Sequence, residues 1–222
     1  DLGKRQAPTF DVIAPGIAKH EEEIVLAPGA DPKSDPCLAL RAAVAAAEFG
    51  LPIAPGTLQN LKSCPIDDRT WNDESRSLFL RLLASGPALL QVWEEIDFVD
   101  IPGRLIPEWL AIRNRPSASA AHRYTIDRHS VEVVTRLGRE TPRGNRYDDR
   151  HYQALLLAGI LHDVGKRPGV ADHAAEGARH ASMVLKRMGF DRDIIWWVTL
   201  LVREHLTLSE FATGQNPNDP NV

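Results

Sequence analysis

The chain has 222 residues, 43% of them hydrophobic and 25% charged, which is the composition of an ordinary globular protein. Its formal net charge of −4 excludes a generally basic surface, so neither nucleic acid nor an anionic membrane is expected as a partner. No apolar run approaches the roughly 20 residues that span a bilayer, and Cys37 and Cys64 match neither a zinc spacing nor a disulfide framework, which favours a reducing, cytoplasmic location.

Short β-prone runs precede the helical part of the chain. The segments FDVIAPGI and EEEIVLAP are bounded by proline and glycine and flank a Lys-His-Glu turn, which predicts a hairpin. Because an isolated hairpin is only marginally stable, residues 1–34 are interpreted as the end of an upstream domain. The chain starts without Met and ends in the turn-rich segment GQNPNDPNV, so we expect a piece of a longer protein.

A helical segment is predicted from residue 35 to residue 115. Asp35 as N-cap and Pro36 at the first helical position would start its first helix, and Gly50 would end it. Further helices are predicted over residues 57–62, from the N-cap Asp73 to Gly86, over residues 88–99 after Pro87, and after Pro107. Their tryptophans are expected in the core.

Four more helices are predicted after a connector at residues 113–121. They lie near Ile126–Arg139, Asp149–Leu161, Ala174–Met188 and Asp193–Leu206. The predicted fold class is therefore all-α, with a helical bundle over residues 116–222, a smaller helical segment before it, and room for one short N-terminal β-hairpin.

The stretch LLLAGILHDVGK, residues 155–166, is the most informative feature of the sequence. Eight uncharged residues, Ala154–Leu161, lead directly to His162 and Asp163. Since a buried charge is costly unless it is paired or bound to metal, this arrangement predicts a metal site. Imidazole and carboxylate ligands together favour Zn, Mn, Fe or Mg, and the lack of a nearby cysteine disfavours soft metals.

The geometry of a helix constrains how this pair can bind one ion. Neighbouring residues point about 100° apart on a helix, so both reach one metal only at a helix end, where Gly165 permits a departure from helical geometry. Lys166 would add a cation suited to a phosphate oxygen. Histidines at other positions, His129, His173 and His205, are candidates for the remaining ligands, whereas His20, His122, His151 and His180 are expected to be ordinary surface or core residues.

The order of these residues resembles the HD superfamily of metal-dependent phosphohydrolases. More specifically, four blocks resemble the HD domain of the bifunctional uridylyltransferase/uridylyl-removing enzymes, which modify the PII nitrogen-signalling protein. The blocks are HRYTIDRH, LLLAGILHDVGK, the Asp172–His173 pair with Glu176–Ala178, and LVREHL. The segments IPEWLAIRNRP and EEEIVLAPGADP resemble the region between the transferase and HD domains, so the resemblance covers most of the chain.

This resemblance implies a domain organisation and a set of site residues. Residues 1–34 would end an upstream nucleotidyltransferase domain, residues 35–115 would form an inter-domain helical segment, and residues 116–222 would form the HD domain. The implied metal ligands are His129, His162, Asp163, His173, His205 and Asp219. They would hold one or two divalent ions, Mn or Mg in the first place and Fe or Zn as alternatives. The expected catalytic residues are Asp163, which would bridge or ligate the metal, and Lys166 and Arg203, which would contact the phosphate.

The expected reaction is metal-assisted hydrolysis of a nucleotidyl group, UMP or AMP, from a tyrosine of a PII-type protein, with a nucleoside monophosphate as product. Two alternatives stay open: an HD phosphohydrolase that acts on a free nucleotide, and a regulatory module without catalysis. A transferase reaction is not expected, because the sequence lacks a Gly-Ser pair followed by the paired aspartates that hold Mg-nucleotide.

Overall fold

A computed structural model describes residues 9–67, 70–116, 124–140 and 149–207, without the side chains of residues 139 and 140. The chain divides into two compact units, residues 1–105 and 106–222. The described residues are mainly helical, with one small sheet, which confirms the predicted all-α class. No helix among them has the length and apolar character needed to cross a membrane.

The first unit begins with a sheet of three antiparallel strands rather than a two-stranded hairpin. The strands are β1 (Asp11–Ala14), β2 (Ile17–His20) and β3 (Glu23–Leu26), in the order β1-β2-β3. The additional strand arises because Pro15 and Gly16 break the run FDVIAPGI, with Gly16 at a φ of 74°. The sheet packs on the first helix of the same unit, which supplies the apolar partner that an isolated hairpin lacks.

Five helices complete the described part of this unit. They are α1 (Leu38–Phe49), α2 (Pro55–Leu61), α3 (Asp73–Leu83), α4 (Pro87–Phe98) and α5 (Ile101–Leu105). Helix α1 is buried at every position from Leu38 to Ala46, because these residues are apolar apart from Arg41 and the helix packs against the sheet, α3 and α4. The two cysteines of this unit are buried thiols, and burial raises the pKa of Cys64 to about 11.

Several predicted helix boundaries were wrong by a few residues. Helix α1 begins at Leu38, because Asp35 accepts a hydrogen bond from the Cys37 amide in a turn before the helix. The N-cap of α3 is Asn72 instead of Asp73, since the Asn72 side chain accepts from the Ser75 amide. Helix α5 was not predicted. The fifth predicted helix is a short 3-10 helix, Pro107–Ala111, at the start of the second unit. The tryptophans Trp93 and Trp109 are buried as predicted.

The second unit contains four longer helices among its described residues: α6 (Ile126–Glu140), α7 (Arg150–Leu161), α8 (His173–Arg187) and α9 (Arg192–Arg203). Aspartate side chains cap the last three, with Asp149 accepting from the His151 amide, Asp172 from the Ala175 amide and Asp191 from the Asp193 amide. Helix α7 is the most apolar of the four, and it packs against α6 and α9, while α8 packs against α9.

Candidate metal centre

The carboxyl end of α7 carries His162 and Asp163 into the interior of the second unit. The helix ends at Leu161, and the next residues form a turn in which the Lys166 amide donates to the Asp163 carbonyl at 2.9 Å. Asp163 is completely buried, with 0% of its surface exposed. The turn therefore places a carboxylate inside the unit directly after an apolar helix.

Four histidines surround this carboxylate. His129 comes from α6, His162 from the end of α7, and His173 is the first residue of α8. His205 lies two residues beyond the end of α9, which is shorter than predicted. Ring centroids are 5.3 Å apart for His129 and His162, 5.2 Å for His162 and His205, and 5.7 Å for His173 and His205. The structure thus brings together histidines that are up to 76 positions apart in the sequence.

The cluster offers two groups of metal-binding atoms that share one carboxylate. One group consists of His129, His162 and Asp163, and the other of Asp163, His173 and His205. Within each group the candidate ligand atoms lie within 4.8 Å of one another. Such spacing allows three side chains to approach one ion, so the described residues can hold a divalent metal.

Backbone carbonyls orient two of the imidazole rings. The Nδ1 of His162 lies 2.8 Å from the Gly159 carbonyl oxygen, and the Nδ1 of His205 lies 2.7 Å from the Val202 carbonyl oxygen. Since a carbonyl can only accept, Nδ1 must carry the proton in both rings. The Nε2 atoms then face Asp163, at 3.3 Å from Oδ2 for His162 and 3.7 Å from Oδ1 for His205. Such outer hydrogen bonds are the usual way of orienting metal-binding histidines.

Charge around Asp163 keeps it ionised despite its burial. Burial by itself would raise the pKa of this carboxyl, but the hydrogen bond and charge of His162, followed by those of Lys166, hold the pKa well below its usual range. The Lys166 Nζ donates to Asp163 Oδ2 at 2.8 Å. Burial, in contrast, is the main cause that lowers the pKa of His205 and favours its neutral form, which is the form that binds metals.

Unpartnered buried atoms provide a test of whether a metal fits here. Asp163 Oδ1, His173 Nε2 and His205 Nε2 are buried and have no hydrogen-bond partner within the part of the chain that the structure describes. All three belong to one of the two groups of candidate ligands. Because buried polar atoms are rarely left unsatisfied, their convergence fits a bound cation, and the mixture of imidazole and carboxylate fits Mn, Fe, Zn or Mg.

Two glycines allow the turn after α7 to lie directly against α8. A Cβ atom on Gly165 would stand 2.2 Å from the His173 carbonyl oxygen and 2.3 Å from the Gly177 nitrogen, and one on Gly177 would stand 3.2 Å from the His162 carbonyl oxygen. Gly165 was predicted to permit a departure from helical geometry, but its φ is not in the left-handed region. Its role is instead steric, because only a residue without a side chain fits between the turn and α8.

A cavity of about 450 Å³ gives access to the cluster. Its lining includes His129, His162, Asp163, Lys166 and His205, together with apolar residues from α6, α7 and α9. A second cavity, of about 360 Å³ and mostly polar, is lined by residues that include Asp172, His173, Arg203, Glu204 and Thr207.

The remaining candidate residues lie in other places. Arg203, expected near the metal, lines only the second cavity, where its Nη1 lies 3.2 Å from Asp172 Oδ2. Arg203 is the last residue of α9, whereas His205 lies in the turn that follows the helix. Asp219 and His122 lie outside the described residues. Of the histidines expected to be ordinary, His151 and His180 lie in this unit among the described residues, and neither belongs to the two groups of candidate ligands. His151 is exposed, and the buried His180 lies 2.9 Å from Glu176 Oε1.

Sequence reasoning missed the two carbonyls that orient the imidazole rings and the apolar part of the cavity. The carbonyls had a detectable signal, since Gly159 and Val202 each stand three residues before the histidine that they contact. The apolar lining had none, because helical periodicity does not distinguish a leucine in a cavity from one in the core.

Comparison with known proteins agrees with this geometry. The HD domain family model matches residues 126–220. Over 210 residues, 94% of its length, the chain is 40% identical to the bifunctional uridylyltransferase/uridylyl-removing enzyme of Streptomyces coelicolor, of which it covers 24%. The enzyme of the same name from Mycobacterium tuberculosis is 38% identical over 208 residues, 93% of the chain and 25% of that protein.

A third relative of that name, from Corynebacterium glutamicum, is 32% identical over 188 residues, which is 83% of the chain and 26% of that protein. The chain spans about a quarter of the length of these relatives. The resemblance stated from the sequence blocks is thus confirmed. The chain contains an HD domain, and its similarity to bifunctional uridylyltransferase/uridylyl-removing enzymes extends beyond that domain over most of its length.

Proposed function

We propose that the second unit is a metal-dependent phosphodiester hydrolase that removes a nucleotidyl group from a tyrosine of a PII-type protein. The observation that carries this proposal is the buried Asp163, which two groups of histidines share at the wall of an accessible cavity. A carboxylate and imidazoles arranged around unpartnered atoms are suited to a divalent ion, and Lys166 supplies a cation beside them.

The residues of the chain have distinct tasks in this reaction. Asp163 and the four histidines would hold the ions, as would Asp219, the remaining candidate. A bound divalent ion lowers the pKa of water from about 15.7 toward 7 and polarises a phosphoryl oxygen. Lys166, held at 2.8 Å from Asp163, is close enough to offset negative charge that develops on the phosphoryl oxygens. Contact between Arg203 and the phosphate is less well supported, since Arg203 lines the second cavity and forms an ion pair with Asp172.

The identity of the substrate comes from similarity. The relatives are named uridylyl-removing enzymes, and uridylyl removal from a modified tyrosine is hydrolysis of an aryl phosphodiester. We extend this activity to the chain with a PII-type protein as partner, UMP or AMP as the nucleotide removed, and Mn or Mg as the metal. The two ions would correspond to the two groups of ligands around Asp163.

The test is hydrolysis of uridylylated and adenylylated PII protein by this chain, with Mn, Mg or a chelator. The double substitution His162→Ala/Asp163→Ala removes ligands from both groups and should abolish release of the nucleoside monophosphate, a loss of at least about 1,000-fold. His151→Ala is the matched control, because His151 lies on the same helix but is exposed and outside the cluster. It should retain the wild-type rate.

Other outcomes would favour the alternatives. Rapid, metal-dependent cleavage of free nucleotides without a protein partner would indicate an HD phosphohydrolase of a different substrate class. Rates that are unchanged in the double variant would contradict catalysis at this cluster and support a regulatory module.

A further inference from the structure

The cavity at the metal cluster has a wall of apolar side chains whose role the proposed hydrolysis leaves unexplained. We call this set the leucine wall, and it consists of Val133 and Leu137 from α6, Leu155 from α7, and Leu201 and Leu206 from α9 and the turn after it. Two of its members are unusually exposed for leucines, Leu155 at 39% and Leu201 at 37%. Both lie in the same cavity as the fully buried Asp163.

Among the residues that the structure describes, the polar groups that line this cavity are candidate metal ligands and Lys166. Apart from His129, His162, Asp163, Lys166 and His205, its described lining consists of the leucine wall, Ala158 and Gly159. No hydroxyl, amide or second carboxylate side chain is present in that lining to receive the hydroxyl groups of a sugar. The neighbouring cavity differs, since Asp172, Arg203, Glu204 and Thr207 give it a largely polar lining.

These linings restrict what can lie beside the phosphorus atom in the metal cavity. A sugar placed against the leucine wall would lose hydrogen bonds to water without gaining others, which is unfavourable. An aromatic ring has no hydroxyl hydrogen bonds to lose, and removal of its apolar surface from water makes binding more favourable. The cavity volume of about 450 Å³ is within the usual range for small-molecule sites and accommodates a ring with its phosphate.

We propose that the leucine wall binds the aryl group of the scissile phosphodiester and makes the site selective for aryl over alkyl esters. This inference rests on the proposed function and names the residues that would select its aryl group. In the reaction, the oxygen of water forms a new bond to phosphorus and the bond from phosphorus to the aryl oxygen breaks. The aryl oxygen leaves with a proton from that water, so the products are a phenol and a phosphate monoester.

Binding of phosphonates that cannot be hydrolysed tests this inference directly. Isothermal titration of the Mn-loaded chain should show that phenylphosphonate binds about tenfold tighter than methylphosphonate, as expected for burial of a ring against leucines. Leu201→Ser should reduce this preference to about twofold or less. Leu200→Ser is the matched control, because Leu200 is the adjacent residue on α9, is 40% exposed and does not line the cavity. It should leave the preference intact.

Hydrolysis provides a second readout with esters of UMP. Leu201→Ser should lower kcat/KM for the phenyl ester about five- to tenfold while changing that of the trifluoroethyl ester less than about twofold, and Leu200→Ser should change neither. Equal binding of the two phosphonates by the wild-type chain, or equal effects of the two serine substitutions, would overturn the inference. A phenyl preference in binding without hydrolysis of any ester would refute the proposed function and leave the aryl subsite. Hydrolysis without that preference would refute the subsite alone.

Discussion

The substitution Gly165→Ala perturbs the point where the turn after α7 meets the start of α8. The added Cβ would stand 2.2 Å from the His173 carbonyl oxygen, 2.3 Å from the Gly177 nitrogen and 2.8 Å from the Gly177 Cα. All three are backbone atoms, so no side-chain rotation can relieve the overlap. To reach the 3.4 Å of ordinary contact, the turn and α8 must separate by about 1 Å.

The cost follows from this displacement. Overpacking of a core typically costs about 1–3 kcal/mol when side chains can adjust, and here only the backbone can move, so we expect a loss of about 3 kcal/mol in the free energy of unfolding. The same displacement moves His173 relative to Asp163 and thereby disturbs the second group of ligands. We expect Mn affinity to fall by at least about tenfold, since loss of the contacts that orient metal ligands typically costs that much.

Urea unfolding, monitored through hydrogen exchange of the α7 and α8 amides, measures the stability of this unit. Isothermal titration measures its affinity for Mn. Gly56→Ala is the control in the first unit, where a Cβ at that position in α2 meets nothing within 4 Å. Measured on the α2 amides, it should be neutral or stabilise by up to about 1 kcal/mol. Gly177→Ala, with nearest contacts at 3.2 Å, should be intermediate. The steric argument would be refuted if the free energy of unfolding of Gly165→Ala lay within about 0.5 kcal/mol of the wild-type value and its Mn affinity were unchanged.

Three further predictions concern charged groups. Mn at 100 times its Kd should stabilise the wild-type second unit by about 2.7 kcal/mol in urea unfolding, and Asp163→Asn should abolish this gain, because both ligand groups lose their carboxylate. Burial would raise the pKa of Glu108, but the two hydrogen bonds from Arg187, at 3.0 and 2.6 Å, lower it below its usual value. This ion pair should therefore stabilise the fold above the unfolded pKa of about 4.3, and its contribution should be lost as pH falls through the lower pKa of the folded state. Arg41→Ala should destabilise the first unit by about 2–4 kcal/mol in urea, since this buried guanidinium pairs with two carboxylates.

Each of these has its own control. Mn-free buffer with chelator should erase the difference between wild type and Asp163→Asn that Mn creates. Glu108→Gln should flatten the dependence of stability on pH below about 4.3, and an unchanged slope would contradict the role assigned to the pair. Arg81→Ala removes an exposed ion pair with Glu48 in the same unit and should cost less than about 1 kcal/mol. If the Arg41 and Arg81 variants lost comparable amounts of unfolding free energy, burial would not strengthen the ion pairs of Arg41.

The boundaries of a helix were predictable from sequence where residues close to its ends determine them. Asp149 and Asp172 cap helices through hydrogen bonds to amides two or three residues away, and such contacts are visible in the order of residues. The start of α1 was not predictable in this way, because Asp35 forms an ion pair at 2.6 Å with the buried Arg41, 6 residues later, instead of capping the helix. That side chain also reaches Glu74, 33 residues later, so its pairing depends on the tertiary structure.

The composition of the cluster was predictable, whereas its surroundings were not. His162 and Asp163 stand out because they follow an apolar helix. The distant histidines were candidates from the sequence alone, and the family resemblance matched them to ligand positions. The position of Arg203 depended on where α9 ends. The helix stops at Arg203 itself, so His205 turns inward while Arg203 lies against Asp172. The steric need for Gly165 depends on a neighbour on another helix, and no local pattern contains that information.

The shared carboxylate has a consequence for the net charge of the site. Among the described side chains that line the metal cavity, Asp163 contributes one negative charge and Lys166 one positive charge, while an imidazole that binds a metal does so in its neutral form and contributes none. One divalent ion would therefore leave an excess of two positive charges, and two ions an excess of four. A second ion is repelled by the first unless an anion enters with it. By thermodynamic reciprocity, a phosphate ligand must then strengthen the binding of the second ion as much as that ion strengthens the binding of phosphate.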